Sequence, residues 1–580
     1  MLVHRSARRT IEPARVLALV EEAIAGAFLD APDARDRWTS VLIEAGALEA
    51  AVVDQWSPDR DRWDARHAVL RAFLDRLGAA AVASWADQPI ELTGLADALT
   101  GMTTLDLPPS VNAEVPEGFA YHGIYPDTYV DAAQQCAAEV QPSHVVVIGV
   151  RSIGTSLSAV VGASLRRRGI AVRSYTVRPR GDSMTVLLDE SLTRELLHGG
   201  GPDDPPGGML YAIVDEGPAI TGSSFAAVSR ALDALGVCPE RMVLFPAWEP
   251  EPTIDTSRER WTLHRRYVGS FDDLYLRGGR LAAAFGGGVL TELSAGRWRD
   301  VFCPSSGHAV AVHPKLEQRK YLLTRDNERL VLKFVGLGAH GAPRLTLAES
   351  LARPGLSSQP LSLRAGVLAY GLQAGRPMTC RDLTAGFLEH AAGYLAHRAI
   401  AERGVSDVTG DDLVAMIAEN ARQTLGDAAS AQALLAVERW RARLGETAPV
   451  RVDGRLMPHE WICTETGWMK ADALSHHDDQ FLPGCQDIAW DVAGMIDEWE
   501  LGPAEQRAFL DDFIAKSGDD RIEARLPIWR VAYLAFRAGY TKLAAGALGN
   551  DADGHRMIAM HQRYAARLAS SLEALAATAP

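Results

Sequence analysis

The chain has 580 residues, 47% hydrophobic and 23% charged, the balance of a soluble globular protein. That length exceeds what one hydrophobic core organises and predicts three or four domains. A formal net charge of −15 excludes a nucleic-acid scaffold, and the absence of a run of about 18 apolar residues excludes a helical membrane span.

The start, M-L-V-H-R-S-A-R-R-T, lacks the apolar segment of a signal peptide, so a cytoplasmic location is expected. The six cysteines show no C-x-x-C pairing and read as reduced, structural thiols. Residues 1–88 read as helices, with helical apolar spacing in Ile11–Phe28, Val41–Val53 and Ala65–Leu77. Trp38, Trp56, Trp63 and Trp85 are expected to anchor helix packing. The plain reading of this region is a packing or dimerisation cap for the next domain, and a homo-oligomer would form through it.

A Pro-rich stretch at 107–114 and a helix carrying Val130, Ala133 and Cys136 lead to an apolar strand, His144–Ile148. Gly149-Val-Arg-Ser-Ile-Gly-Thr-Ser-Leu157 follows, then a helix through Val161 and Leu165. A third strand, Ala171–Val177, delivers Arg178 and Arg180, and guanidinium groups suit multiply charged phosphates. A solvated turn is the competing reading there. Ser183–Leu197 reads as ordered and the Gly/Pro tract at 199–208 as flexible, an insertion able to close over a ligand. Leu210–Val214 is a strand buried on both faces, followed by Asp215-Glu216, a Gly217-Pro218 turn and Thr221-Gly222-Ser223-Ser224. A helix then runs from Phe225 to Leu235. Strand, small hydroxyl-rich loop and helix start form an anion cradle, with the two acids at the carboxyl edge of the sheet. An ordinary turn with a Ser/Thr cap is the bland alternative. Met242–Phe245 supplies another strand, and the sheet region ends near Phe285.

These residues resemble the phosphoribosyl-diphosphate (PRPP) signature of type I phosphoribosyltransferases. The resemblance implies that Asp215 and Glu216 hold the ribose hydroxyls, while Thr221, Gly222, Ser223 and Ser224 hold the 5′-phosphate. Gly149, Arg151, Ser152, Gly154 and Thr155 then take the place of the pyrophosphate loop, with Arg178 and Arg180 beside them and Mg²⁺ on the diphosphate. The distance from the acidic pair to Gly222 is one residue longer than the common pattern.

Farther on, Arg319–Leu323 and Leu330–Val335 read as a strand pair turning at 324–327, with Lys333 alone among apolar residues. Gly336-Leu-Gly-Ala-His-Gly341 precedes a helix containing Glu349. A-Y-G-L-Q-A-G-R-P-M at 369–378 resembles the hinge of small-molecule kinases of the aminoglycoside-phosphotransferase and choline-kinase type. D-G-R-L-M-P-H-E-W-I at 453–462 occupies the place of their catalytic loop, and Lys470-Ala-Asp472-Ala that of their metal aspartate. D-I-A-W-D-V-A-G at 487–494 matches the family's stretch just beyond. The resemblance implies that Lys333 holds ATP phosphates and pairs with Glu349, and that Asp472 and Glu460 bind Mg²⁺. It also places Arg455 where the catalytic Asp belongs, and an arginine accepts no proton. Asp453 is the candidate stand-in. His476-His477-Asp478-Asp479 reads as solvated surface, with a metal site as the other reading.

The expected fold is multidomain α/β: a helical region at 1–88, a parallel-sheet phosphoribosyltransferase-like domain at 89–285, a kinase-like N-lobe at 286–382 and a helical C-lobe at 383–580. The leading functional reading is a Mg-dependent PRPP transferase that displaces diphosphate at ribose C1′ with a small-molecule acceptor. An ATP-dependent small-molecule phosphotransferase and a nucleotide-sensing regulator compete with it. Small molecules, and neither nucleic acid nor membrane, are the expected partners.

Overall fold

The computed structural model describes every residue except 6, 28–33, 182, 199–208, 218–221, 250–254, 304–309, 475, 579 and 580. Strand β1 (Arg8–Ile11) leads into α1 (Pro13–Glu22), where Pro13 sits in the first turn and its missing N–H costs nothing. The long helices α2 (Ala34–Trp56) and α3 (Ala65–Trp85) follow, and Asp64 caps α3 by accepting from the backbone N–H groups of Arg66 and His67. Next come α4 (Leu92–Met102) and β2 (Val111–Glu114), which pairs antiparallel with β1.

The parallel sheet is built by α5 (Thr128–Val140), β3 (His144–Val150), α6 (Ile153–Arg166) and β4 (Ala171–Val177). It continues with β5 (Met209–Val214), α7 (Ser223–Ala234), β6 (Met242–Phe245), α8 (Asp255–Leu263) and the short β7 (Arg265–Arg266). The strand order is β4-β3-β5-β6-β7, so the winding reverses between β3 and β5. The chain leaving β3 at 151–152 and β5 at 215–217 therefore emerges at the crevice where open parallel sheets take ligands. Both faces are covered: Val145 and Val147 pack on one side, Val146, Ile148 and Val150 on the other. That explains the unbroken apolar run.

The second half opens with an antiparallel sheet, β8 (Val289–Glu292), β9 (Lys320–Arg325), β10 (Glu328–Phe334), β11 (Pro360–Arg364) and β12 (Val367–Gly371), in the order β8-β9-β10-β12-β11. Helix α9 (Gly341–Ala352) lies between β10 and β11 in sequence. Tyr321, Leu323, Leu330, Leu332 and Phe334 face the same core as Val145, Leu210 and the N-terminal helices. The two sheets thus share one core, and the border near 286 separates chain segments rather than hydrophobic interiors. The opposite face carries Lys320, Val331 and Lys333 toward a cavity.

The helical lobe contains α10 (Ala385–Ala401), α11 (Gly410–Leu425), α12 (Asp427–Trp440), α13 (Ala489–Glu498), α14 (Pro503–Ser517), α15 (Ile522–Leu548) and α16 (Ala552–Ala577). Its core is built on the fully buried Trp490, Trp529 and Tyr533. The hairpin Trp461–Thr464 and Gly467–Lys470 lies at the lobe boundary and pairs with Arg376–Pro377. The first residues of the chain are tied to this lobe: Asn420 exchanges two hydrogen bonds with the Leu2 backbone, and the Leu482 N–H donates to the Val3 carbonyl. No described helix is long and apolar enough to cross a membrane.

Candidate functional site: the cleft between the antiparallel sheet and the helical lobe

Alternation along β9 and β10 places two lysines on the cavity face, and the hairpin register sets Lys320 directly opposite Lys333. Like charges facing each other across a ladder destabilise it unless an anion lies between them. Asp472, two residues beyond the Trp461–Lys470 hairpin, supplies that anion: it forms an ion pair with Lys333 and lies 4.0 Å from Lys320. Burial alone would raise the Asp472 carboxyl, but Lys333, with His476 and Lys320 behind it, holds it well below the usual range.

The start of the 453–460 loop is fixed from below. Asp491 on α13 accepts from the backbone N–H of Asp453 at 2.6 Å and of Gly454 at 2.8 Å. Burial and the neighbouring Asp453 push Asp491 up to about 7. Asp453 is fully buried, hydrogen-bonded to Tyr394 and 3.3 Å from Lys470 Nζ, and it does not line the cavity. It is a structural clamp and no stand-in base. From this clamp the loop presents Arg455, His459 and Glu460 to the cleft. Burial, with Lys470 and Arg455 adding to it, pushes the His459 imidazole down to about 3, so the ring is neutral. It stacks on Trp298 at 5.8 Å. Trp298 lies between β8 and β9 in sequence, where residues of 293–303 and 310–319 roof the cavity. Arg299 pins this roof to the helical lobe through a bidentate pair with Asp553 at 2.9 and 3.0 Å.

The enclosed volume is about 560 Å³, the size of a nucleotide-scale pocket. Val331, Tyr370, Leu372, Met378 and Ile462 supply apolar lining at one end, and Arg455, Arg537 and Arg563 lie toward α15 and α16. Glu460 and Asp472 are the residues that fit a hard divalent cation. Glu460 is raised by burial and then by the charge of Asp472, and its carboxylate accepts no hydrogen bond among the described residues. Among those residues no cluster of three or more His, Cys, Asp or Glu forms a protein cage. Two carboxylates with the remaining positions left for phosphate and water is the pattern Mg²⁺ uses.

Several sequence expectations change. Glu349 is exposed on α9 and pairs with neither lysine; Lys333 takes its carboxylate from Asp472 instead. Of the charged residues on that helix it is Arg344 that turns inward, beside Leu347, Ala348 and Leu351; it donates to the carbonyls of Ala120 and Val335 and so ties the helix to the parallel-sheet half. His476, His477 and Asp479 are not solvated: His477 is buried, and His476 Nδ1 lies 3.5 Å from Asp479. Lys320, Lys470, Arg537, Arg563 and Asp491 are cleft or support residues that the sequence reading did not single out.

At the parallel-sheet edge the arginines are committed elsewhere. Arg151 is fully buried, bonds Asp54 at 2.6 Å and also pairs with Asp61. Arg178 pairs with Asp54 and, at 2.8 Å, with Glu114. Arg180 bonds Asp61 and the Ser57 carbonyl. These guanidinium groups fasten α2 and the 57–61 turn across the sheet edge, so none of the three is free to meet a diphosphate. Gly149 and Gly154 serve close packing: a Cβ on Gly154 would lie 2.5 Å from the Val214 carbonyl oxygen, and one on Gly149 2.4 Å from that of Gly154. Thr155 is buried, and Ser152 lines only a cavity of about 160 Å³ with Ser156 and Arg178. Asp215 is buried and accepts from Ser224 Oγ at 2.6 Å. Glu216 points toward Gly118 and His122. Gly222 starts α7 with φ 63°, next to Ser223, while Thr221 lies outside the described residues.

Burial raises the Asp215 carboxyl to about 6. A raised carboxyl is favoured protonated in the folded chain, so its ionisation lowers stability as pH climbs from about 4 to 6. Asp215→Asn should therefore stabilise the fold at pH 8 by on the order of 1–3 kcal/mol, read as a higher melting temperature, and lose that gain below about pH 4. Scanning calorimetry at both pH values checks this.

No family model matches the chain, and no curated protein matches it. Among solved structures, choline kinase LicA from Streptococcus pneumoniae is 17% identical, with 43% of this chain and 89% of that one covered and a TM-score of 0.32. A choline/ethanolamine kinase family protein from Mesorhizobium loti is 15% identical, with 45% and 90% covered and a TM-score of 0.33. The structure of the gentamicin–APH(2″)-IIa complex is 13% identical, with 51% and 98% covered and a TM-score of 0.33. Likeness at these scores settles neither fold nor activity.

Proposed function

We propose that the cleft binds ATP with Mg²⁺ and transfers its terminal phosphoryl group to a small molecule. The observation that carries this reading is the facing pair Lys320 and Lys333 with Asp472 between them, at the floor of a cavity of about 560 Å³. Two cations on rigid strands suit the β- and γ-phosphates, and the apolar end by Val331, Tyr370 and Ile462 suits a base. Asp472 and Glu460 would hold the metal, which when bound neutralises phosphate charge. The chain's own part is positioning: rigid lysines orient the phosphates, and the roof held by Arg299 and Asp553 excludes water.

Titration calorimetry of the full chain with ATP, with and without Mg²⁺, tests the reading. Saturable Mg-dependent binding that Asp472→Asn weakens at least about tenfold agrees with it. Binding that is absent, or indifferent to Mg²⁺ and to Asp472→Asn, removes it.

A PRPP site at the parallel-sheet edge is the second reading. Asp215 at the winding reversal, bonded to Ser224, favours a ligand there. The paired state of Arg151, Arg178 and Arg180 and the small cavity beside Ser152 weigh against a diphosphate, so the chemistry is assigned to the cleft.

A further inference from the structure

The cleft is rich in cations although the whole chain is strongly acidic. Six cationic side chains line it against four carboxylates: Lys320, Lys333, Lys470, Arg455, Arg537 and Arg563 face Glu317, Glu460, Asp472 and Glu498. The surplus lies at the helical-lobe end. There, the Arg455 guanidinium makes no hydrogen bond or ion pair among the described residues. Arg537 is buried; its Nε has no hydrogen-bond partner among the described residues and lies 3.6 Å from Glu498. Arg563 shares that same carboxylate at 3.1 Å.

Among the described residues the carboxylates that line the cleft are engaged by donors, Glu460 excepted. Glu498 is saturated by the Tyr533 hydroxyl at 2.7 Å, the Tyr564 hydroxyl at 2.7 and 2.9 Å, and Arg563. Glu317 accepts from the Gly296 N–H and Lys320, and Asp472 is held by Lys333. Glu460 would be taken with Asp472 by the metal of the phosphotransfer reading. His459 stacks on Trp298, and its Nε2 lies 3.8 Å from Glu460. A hydroxyl nucleophile would find arginine where it needs a base.

Resting on the phosphotransfer reading, we propose that this end of the cleft, built on Arg455 and Arg537 with Arg563 at their side, receives an acceptor whose nucleophile is already an oxyanion, a carboxylate or a phosphate. The acceptor oxygen forms its bond to the γ-phosphorus as the bond to the β-bridging oxygen breaks. That electron pair leaves on ADP, and no proton moves. The product is an acyl phosphate or a phosphoanhydride, and total charge is conserved. The arginines neutralise the acceptor against the phosphates it must approach, which planar, always-charged guanidinium does better than any titratable group.

The test loads the full chain with Mg²⁺ and a non-hydrolysable ATP analogue, then titrates inorganic phosphate, acetate and glycerol in separate calorimetric runs. At least one anion should bind saturably and glycerol should not. The tighter of the two anions identifies the acceptor class. Arg455→Met should weaken the anion about tenfold or more and move analogue affinity less than about threefold, with Arg455→Lys in between. Arg563→Met, on the half-exposed α16, is a second variant should Arg455→Met fail to fold. The inference falls if neither anion binds, if glycerol binds as well as they do, or if Arg455→Met leaves the anion unchanged or weakens the nucleotide as much. Should the analogue itself not bind, the phosphotransfer reading fails, and the same titrations on the nucleotide-free chain decide the anion subsite alone.

Discussion

Lys333→Met should abolish useful nucleotide binding while leaving a folded protein. Removing one of two preorganised cations facing the phosphates is expected to cost about 10²–10³-fold in phosphoryl transfer or ATP turnover. The fold should survive because Asp472 is not stranded: Lys320, 4.0 Å away on the neighbouring strand, can take over the pair. Lys320→Met should have a smaller effect, since Lys333 keeps the direct pair. The double variant leaves Asp472 without a lysine at that face and should melt well below either single variant. Calorimetric ATP affinity together with thermal melts separates these outcomes. A Lys333→Met protein that binds Mg-ATP as the parent does would remove the lysine pair from the site.

Lys320 also shows what the sequence could have yielded and did not. The turn at Asp326-Asn327 fixes the hairpin register, and counting outward from it puts residue 320 opposite 333. Expecting a longer turn at 324–327 hid that pairing. Lys333, Asp472, Glu460 and Arg455 were legible because a lone charge in an apolar strand, or in a short loop between hydrophobic runs, stands out locally. The commitments of Arg151, Arg178 and Arg180 were not, because their partners lie about a hundred residues upstream, on α2 and the turn after it. Nothing near an arginine in sequence says whether its charge is reserved for a ligand or spent on a fold contact. Glu349 failed for a related reason: on a helix, the inward face is set by what packs against it, and Arg344 took that face. The strands of the parallel sheet were readable throughout, since burial on both faces leaves an apolar run that needs no partner to recognise. That the two sheets share one core could not be read from either half alone.

Asp61→Ala should be among the most destabilising single substitutions in the chain. Asp61 is 1% exposed and accepts from Arg151, from Arg180 at 2.8 Å and from the Arg178 backbone N–H at 2.8 Å. Its own backbone pairs with Leu187 and Asp189. Removing the carboxylate leaves Arg151, 2% exposed, with Asp54 as its remaining counter-charge. Stripping one partner from a buried ion pair costs about 3–5 kcal/mol, because the other charge stays desolvated. Urea unfolding should show that loss, and Asp61→Leu with Arg151→Met should recover most of it, since the penalty lies in the stranded charge rather than in the absent bond. The same pair of variants tests the sheet edge as a ligand site. If Arg178 and Arg180 are held only by folding contacts, PRPP should leave the melting temperature of the parent unchanged. If they are held in reserve for a phosphate, PRPP should stabilise the parent and restore part of what Asp61→Ala loses, and the chemistry assigned to the cleft would then share the molecule with a second site.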